Sequence, residues 1–299
     1  MYAIPAHPAR TNHVLPPRTL FRHHAAMRIR TLEHALALAR RLRRPTATLV
    51  KDVSATCARG QRRLRPQDVT RKGVGDFVTS MDVRCEGLLR RGLLGLVPDV
   101  GFLGEESLPT DLEHDLVWVV DPIDGTSNFA HQLPHYAVSA ALLWKRRPIL
   151  GVVHCQPENA LYTAIHRDGA RRNGRRVLQP GARSDDEAIF GCQWFRGQAS
   201  LDFLRALQQD GARIRTYGST VVQLCDAATG RLDDNVQQQG RLWDFAAAGL
   251  VAEEAGLRFT DWEGRRVFPL PSLDIGHTAT IAARPARHRR LVAALKPLA

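Results

Sequence analysis

The run Leu116-Val117-Trp118-Val119-Val120 is apolar at every position and leads without a break into Asp121-Pro122-Ile123-Asp124-Gly125-Thr126. Such a run is a buried strand, and its end projects two carboxylates from one tight turn, with Pro122 fixing the backbone so that the Ile123 carbonyl can point the same way. Carboxylates this close repel each other unless a cation lies between them. Carboxylate and carbonyl oxygens are the donors Mg²⁺ prefers, and Mg²⁺ takes few protein ligands, leaving the rest to water and phosphate. Gly125 lets a ligand approach the backbone closely, and Thr126 adds a hydroxyl and a main-chain N–H where a helical turn can begin, an anion-binding end.

Two more segments set acids where regular structure starts or stops: Phe102-Leu103-Gly104-Glu105-Glu106-Ser107 and Trp243-Asp244-Phe245-Ala246-Ala247-Ala248. Taken singly, each has a plain explanation. The Asp-Pro-Ile-Asp run could be an Asx turn, Glu105-Glu106 a solvated pair, and Asp244 or Asp82 a helix N-cap. In isolation the Asx turn outweighs a metal site; it is the set of ordered motifs in one chain that reverses this. His131 and His135 have zinc-like spacing, but Pro134 interrupts any helix between them and no third ligand is near, so they are read as structural. Glu253 and Glu254 are read as solvated charges on a helix. No Gly-x-Ser-x-Gly elbow or P-loop is present, which leaves serine hydrolases and nucleotide kinases without support.

Around these segments the apolar spacing predicts helices from Arg30 to Arg44, capped by Thr31 and ended by Pro45, then from Pro45 into Ala58, and from Met81 to Leu96 with Val83, Leu88, Leu89, Leu93 and Leu96 inward. A short strand covers Phe77 to Thr79, and strands are expected at Gly101–Gly104, Leu116–Val120, Tyr136–Trp144, Pro148–Cys155 and Ala160–Ile165, the last three as an antiparallel meander. Gln179-Pro180-Gly181 with Ser184, Asp185 and Asp186 reads as a linker. Beyond it strands and helices alternate, which argues α/β. The expected division is a basic, disordered arm (1–26, or an upstream extension before Met27), an N-terminal α+β unit with the metal site (27–180) and a C-terminal α/β unit (181–299).

The ordered motifs resemble the inositol monophosphatase family, the lithium-sensitive Mg²⁺-dependent phosphatases. They are Gly75-Asp76-Phe77-Val78-Thr79 with Asp82, Gly104-Glu105-Glu106-Ser107, the Asp-Pro-Ile-Asp-Gly-Thr run with Asn128-Phe129, and Trp243-Asp244 with Glu253, Glu254, Ala255 and Gly256, within residues 31 to 283. The resemblance implies a layered αβαβα sandwich, two or three Mg²⁺ ions per site and a homodimer. It matches Glu105, Asp121 and the Ile123 carbonyl to one metal site and Asp121, Asp124 and Asp244 to a second, with a third ion shared through Glu105. It implies that a metal-activated water, oriented by Glu105 and Thr126 with Asp82 behind Thr126, attacks phosphorus in line. Asp124, Gly125 and Thr126 match the phosphate cradle, and Gly218 and Ser219 line the alcohol side. Lys72 is left outside the catalytic set. One position departs: six residues before Trp243, where inositol-hydrolysing members carry Glu, stands Gln237. An amide still binds hydroxyls but carries no charge, so selectivity is expected to differ there.

The implied activity is hydrolysis of a small polyol or sugar phosphate, inositol monophosphate first. The alternatives are another small phosphate (a nucleotide 3'-phosphate, fructose bisphosphate, histidinol phosphate), or an RNA- or ribosome-associated factor with an incidental phosphatase site. The last is prompted by a net charge of +12. Yet the first 50 residues hold nine Arg against one acid, Glu33, so the main body is nearly balanced. With only four Lys among 42 basic residues, Arg dominance reads as composition bias, and nucleic acid ranks behind a small substrate as partner. No stretch of about 18 apolar residues occurs, so no membrane span is expected. Five dispersed cysteines without a metal spacing fit reduced, buried thiols in the cytoplasm.

Overall fold

A computed structural model describes residues 29–73, 76–156, 158–178, 183, 187–193, 198–209 and 213–298. The expected arm, the linker residues 179–181 and 184–186, and Gly75 lie outside the described residues. In chain order the elements are α1 (Leu32–Gln61), β1 (Val69–Gly73), β2 (Asp76–Thr79), α2 (Ser80–Leu94), β3 (Gly101–Gly104), β4 (Leu116–Asp124) and α3 (Thr126–Ala130). Then come β5 (Tyr136–Trp144), β6 (Arg147–Gln156), β7 (Ala160–Ile165), β8 (Gly169–Arg172), β9 (Arg175–Arg176) and β10 (Ile189–Gln193). The C-terminal part adds α4 (Gln198–Gln209), β11 (Arg213–Arg215), α5 (Thr220–Ala228), β12 (Asp234–Gln237), α6 (Leu242–Glu254), β13 (Arg258–Thr260), β14 (Thr280–Ala283) and α7 (Pro285–Leu295).

β3 to β9 form a seven-stranded sheet in sequence order, antiparallel except for the parallel pair β3–β4. The five-stranded sheet runs β11-β10-β12-β14-β13; β10 is parallel to β11 and β12, and β14 is antiparallel to β12 and β13. Side chains alternate across β4: Trp118 and Val120 pack with Leu42, Val53 and Leu89 of α1 and α2, whereas Val117 and Val119 pack with Leu224, Phe245 and Leu250 of α5 and α6. That second cluster also takes in Phe259 and Ala282 of the smaller sheet. A third cluster joins the far face of that sheet, through Phe190, Val236 and Ile281, to Phe203 of α4 and Leu291 of α7. Two sheets between three helical layers make the expected αβαβα sandwich. α6 lies in the middle layer, and its run Ala246-Ala247-Ala248 is fully buried.

Three local expectations are corrected. Pro45 does not end the first helix; α1 is continuous through it. Its buried positions Leu42, Thr46, Val50, Val53 and Cys57 keep three- and four-residue spacing across the proline, so tertiary packing outweighs the one hydrogen bond that Pro45 removes. The carbonyl thereby freed is that of exposed Arg41, within reach of water. Val83 is not on the inner face of α2 but 59% exposed. The buried stripe is Met81, Cys85, Leu89 and Leu93, flanked by Asp82 and Glu86. Glu254 is not a solvated charge: its carboxylate accepts from the Arg167 and Gly169 amides at 2.7 and 2.9 Å and fastens the β7–β8 turn to α6. All five cysteines are free and buried, as expected. No described helix is long and apolar enough to cross a membrane.

Candidate metal centre

β4 does not stop at Val120. It stays buried to Asp124, and its register with β5 shifts between Asp121 and Asp124, so Pro122 and Ile123 bulge out of the ladder. A bulge redirects the side chains that flank it. Here Asp121 turns one oxygen back to the Ile123 amide at 2.9 Å, and Asp124 reaches the start of α5. One Asp124 oxygen accepts from the Val221 amide at 2.9 Å and from the Ser219 hydroxyl, which also caps the helix.

The third acid arrives from a different layer. Asp244 sits in the first turn of α6, where one oxygen accepts from the Arg241 amide at 2.7 Å. It therefore does act as a capping group, as its position alone suggested. It also brings an oxygen into a trio with Asp121 and Asp124 in which the ligand atoms all lie within 4.8 Å of one another. Glu105, in the turn after β3, is not one of these three, but it is the strongest neighbouring charge acting on Asp121.

Burial raises each member of the trio. Asp121 is pushed well above the ordinary carboxylate range, first by desolvation, then by Glu105, Asp124 and Asp244. Burial carries Asp124 up to about 6 against the hydrogen bonds from Ser219 and Val221. Asp244 rises to about 7 through burial and the Asp124 charge. Hard oxygen donors gathered at this range with their negative charge unsatisfied are what a divalent cation such as Mg²⁺ would relieve, so the donor set fits such an ion.

Asp82 stands behind the turn. Its Oδ2 accepts from the Thr79 amide and hydroxyl at 2.8 and 2.6 Å, closing a capping box, and its Oδ1 accepts from the Thr126 hydroxyl at 3.2 Å. The same hydroxyl lies 2.9 Å from the Ile123 carbonyl. Burial lifts Asp82 to about 6 despite the Thr79 hydrogen bonds. Gly125 has φ +93°, a left-handed conformation, and a Cβ there would come within 2.8 Å of the His135 carbonyl and 3.3 Å of both the Gly218 carbonyl and Ser219 Cβ. The segment expected to cradle the phosphate, Gly125-Thr126, and the one expected to line the alcohol side, Gly218-Ser219, therefore abut. Asn128 ties them together by donating to the carbonyls of His135 and Tyr217 at 2.8 and 2.6 Å.

Gln237 is 1% exposed. Its carbonyl lies 3.3 Å from the Thr220 hydroxyl, which donates to it, and its amide donates to Asn235 Oδ1 at 3.2 Å. It is thus joined to the carboxylates through the first turn of α5. His131 and His135 share no metal-binding cluster among the described residues. Two contributors were not singled out from the sequence. The bridging role of Asn128 has only the motif spacing as its signal. Glu86, whose carboxylate accepts from the Glu106 amide at 2.7 Å, is foreshadowed by its place four residues after Asp82 on one helical face.

Comparison with known proteins agrees with this geometry. The model of the inositol monophosphatase family matches residues 37–298. The inositol-1-monophosphatase of Rhizobium meliloti (strain 1021) is 37% identical over 204 residues, 66% of this chain and 76% of the relative. The Nus factor SuhB of Pasteurella multocida (strain Pm70) is 32% identical over 233 residues, 76% of this chain and 86% of the relative. Among solved structures, the Thermotoga maritima IMPase superposes with a TM-score of 0.74 at 26% identity, covering 84% of this chain and 95% of that one. The chain belongs to the inositol monophosphatase family and is, with it, a phosphoric monoester hydrolase.

Proposed function

We propose that this chain hydrolyses the phosphate monoester of a small polyol or sugar, inositol monophosphate first, with two or three Mg²⁺ ions held by Glu105, Asp121, the Ile123 carbonyl, Asp124 and Asp244. The convergence of Asp121, Asp124 and Asp244 from β4 and α6 on one point carries the reading. When bound, Mg²⁺ supplies charge neutralisation on the phosphate oxygens and acidifies water.

The rest is the work of the chain. Thr126 has one hydroxyl proton and two acceptors beside it, Asp82 and the Ile123 carbonyl. With that proton committed, the hydroxyl presents only lone pairs to a water molecule and orients it as an acceptor. Glu105 is the group in this reading that takes the water's proton. The amides of Gly125 and Thr126 receive the phosphate oxygens, and Gly218-Ser219, before α5, line the alcohol side. Gln237 acts on the alcohol side through Thr220, where its neutral amide weakens the preference for inositol.

The test is phosphate release from inositol monophosphate, nucleotide 3'-phosphates, fructose bisphosphate and histidinol phosphate, with and without Mg²⁺, for the wild type and for Asp121→Asn and Glu105→Gln. Mg²⁺-dependent release that each substitution lowers by a factor of 10² or more, on the order of one lost electrostatic catalytic group, supports the reading. Normal turnover of Asp121→Asn at limiting Mg²⁺ overturns it. A cytoplasmic homodimer completes the proposal, and light scattering of the purified chain checks the dimer.

A second reading has its own support: several relatives are named Nus factor, and the β8–β9 hairpin presents Arg171, Arg172, Arg175 and Arg176, the last two exposed. An RNA-associated role predicts salt-dependent RNA binding that survives Asp121→Asn. Absence of RNA binding at low salt removes it.

A further inference from the structure

We propose that Glu86 and Arg90 are positioning residues for the Glu105 turn, so that one face of α2 aligns both halves of the metal centre. The proposal rests on the reading of Glu105 as a metal-binding carboxylate. Asp82, Glu86 and Arg90 follow one another at four-residue steps and therefore share a helical face. Each holds a different part of the centre. Asp82 receives Thr126, at the end of the β4 turn. Glu86 receives the amide of Glu106 at 2.7 Å, the residue directly after Glu105. Arg90 reaches the hydroxyls of Ser107 and Thr110 at 3.5 and 3.1 Å, with its guanidinium 4.9 Å above the Phe102 ring of β3. Thr110 in turn exchanges two main-chain hydrogen bonds with Phe102, both 2.9 Å, which closes the turn that carries Glu105.

Glu86 is 3% exposed, so solvation does not explain its charge. A carboxylate kept out of water is costly unless it is hydrogen-bonded, and here the bond goes to the main chain beside a proposed metal ligand. Room has been made for it. A Cβ on Gly104, immediately before Glu105, would lie 2.4 Å from the Glu86 carboxyl carbon. β3 thus ends in the residue type that lets α2 grip the turn from behind. With the Glu106 amide fixed, the backbone at Glu105 is fixed, and with it the direction from which Glu105 meets Asp121. Residues that hold metal ligands in this indirect way typically contribute about 10- to 100-fold to metal affinity.

The experiment measures Mn²⁺ binding to the full chain by loss of the free-ion EPR signal, Mn²⁺ serving as a paramagnetic ion with the same taste for oxygen donors as Mg²⁺. It is run on the wild type, Glu86→Ala, Glu86→Gln, Arg90→Met and Asp121→Asn, with circular dichroism and the thermal midpoint in EDTA as folding controls. Glu86→Ala is expected to bind Mn²⁺ about 10- to 100-fold more weakly. Glu86→Gln, whose amide oxygen can still accept from Glu106, is expected to recover wild-type affinity, and Arg90→Met to weaken binding. A folded Glu86→Ala with wild-type affinity overturns the proposal, as does a Glu86→Gln as weak as the alanine variant. If Glu86→Ala fails to fold, Arg90→Met decides: weakened binding supports the proposal and wild-type binding overturns it. Asp121→Asn separates the two readings. Should it bind Mn²⁺ as the wild type does, the metal centre itself is misassigned; should it lose binding while the Glu86 and Arg90 variants keep theirs, only the positioning role falls.

Discussion

Asp244→Asn is expected to stabilise the metal-free protein and to weaken its response to Mg²⁺. Asp244 is lifted from 3.8 to about 7 by burial and by the Asp124 charge. A carboxyl whose folded pKa is raised keeps its proton in the native state over a range in which the unfolded chain has released it. The native state then binds more protons, so stability falls as pH rises from about 4 to about 7 and is level above that. The ionisation penalty at pH 8 corresponds to about 4 kcal/mol, shrinking to about 2 kcal/mol at pH 5. Asparagine removes it while its side-chain oxygen can still accept from the Arg241 amide, now at 2.7 Å. In EDTA at pH 8 the variant should therefore melt higher, by on the order of 10 °C, with a smaller gain at pH 5. Mg²⁺ should narrow the gap rather than leave it, since an ion at 100 times its Kd adds about 2.7 kcal/mol to the wild type alone, more than half of the difference. Thermal melts at both pH values, with EDTA and with Mg²⁺, check this. Wild-type stability in EDTA that rises between pH 5 and pH 8, or an Asp244→Asn protein less stable than wild type in EDTA at pH 8, would refute the claim that these acids are held together under electrostatic stress.

Gln237→Glu should raise relative kcat/KM for inositol monophosphate over the other phosphates; an unchanged ratio in the substrate panel places selectivity elsewhere. The same change sets a carboxylate against Asn235 Oδ1 where an amide now donates at 3.2 Å, so a loss of about 1 to 3 kcal/mol in urea unfolding is expected. Arg287→Met should cost about 3 to 5 kcal/mol, because it leaves the buried Asp234, now paired with Arg287 at 2.5 Å, without its counter-ion; a chevron or equilibrium melt measures it. Gly125→Ala should lower kcat without unfolding the chain, since φ +93° and the His135 carbonyl at 2.8 Å oppose a methyl group. Wild-type turnover in that variant would show the turn to be more forgiving than this geometry implies.

The parts of the site legible in the sequence are those where one local pattern carries the chemistry. Asp121 and Asp124 sit on one turn after an unmistakable strand, and Thr126 follows at once. Asp244 was legible as a helix-start acid, and the structure gives it that capping duty. Its partnership with Asp121 was not a local property, because 123 positions separate the two residues in the chain. Glu86 went unrecognised because an acid on a helix is solvated by default; what makes it otherwise is a missing Cβ on Gly104 in another element. The same limit applies at Pro45, where local chemistry argues for a break and a continuous buried stripe on α1 prevails. Apolarity alone points Val83 inward, whereas the inner face of α2 mixes Met81, Cys85 and Leu89 with Asp82 and Glu86.

By itself the sequence determined the elements, their order and the chemical identity of the oxygen donors, since strand alternation, capping and turn residues act over a few neighbours. The tertiary structure alone decided which donors meet. Stacking α6 between the two sheets brings Asp244 to the bulge at the end of β4. The low dielectric of that meeting place is what turns ordinary carboxylates into a site that a divalent cation would stabilise.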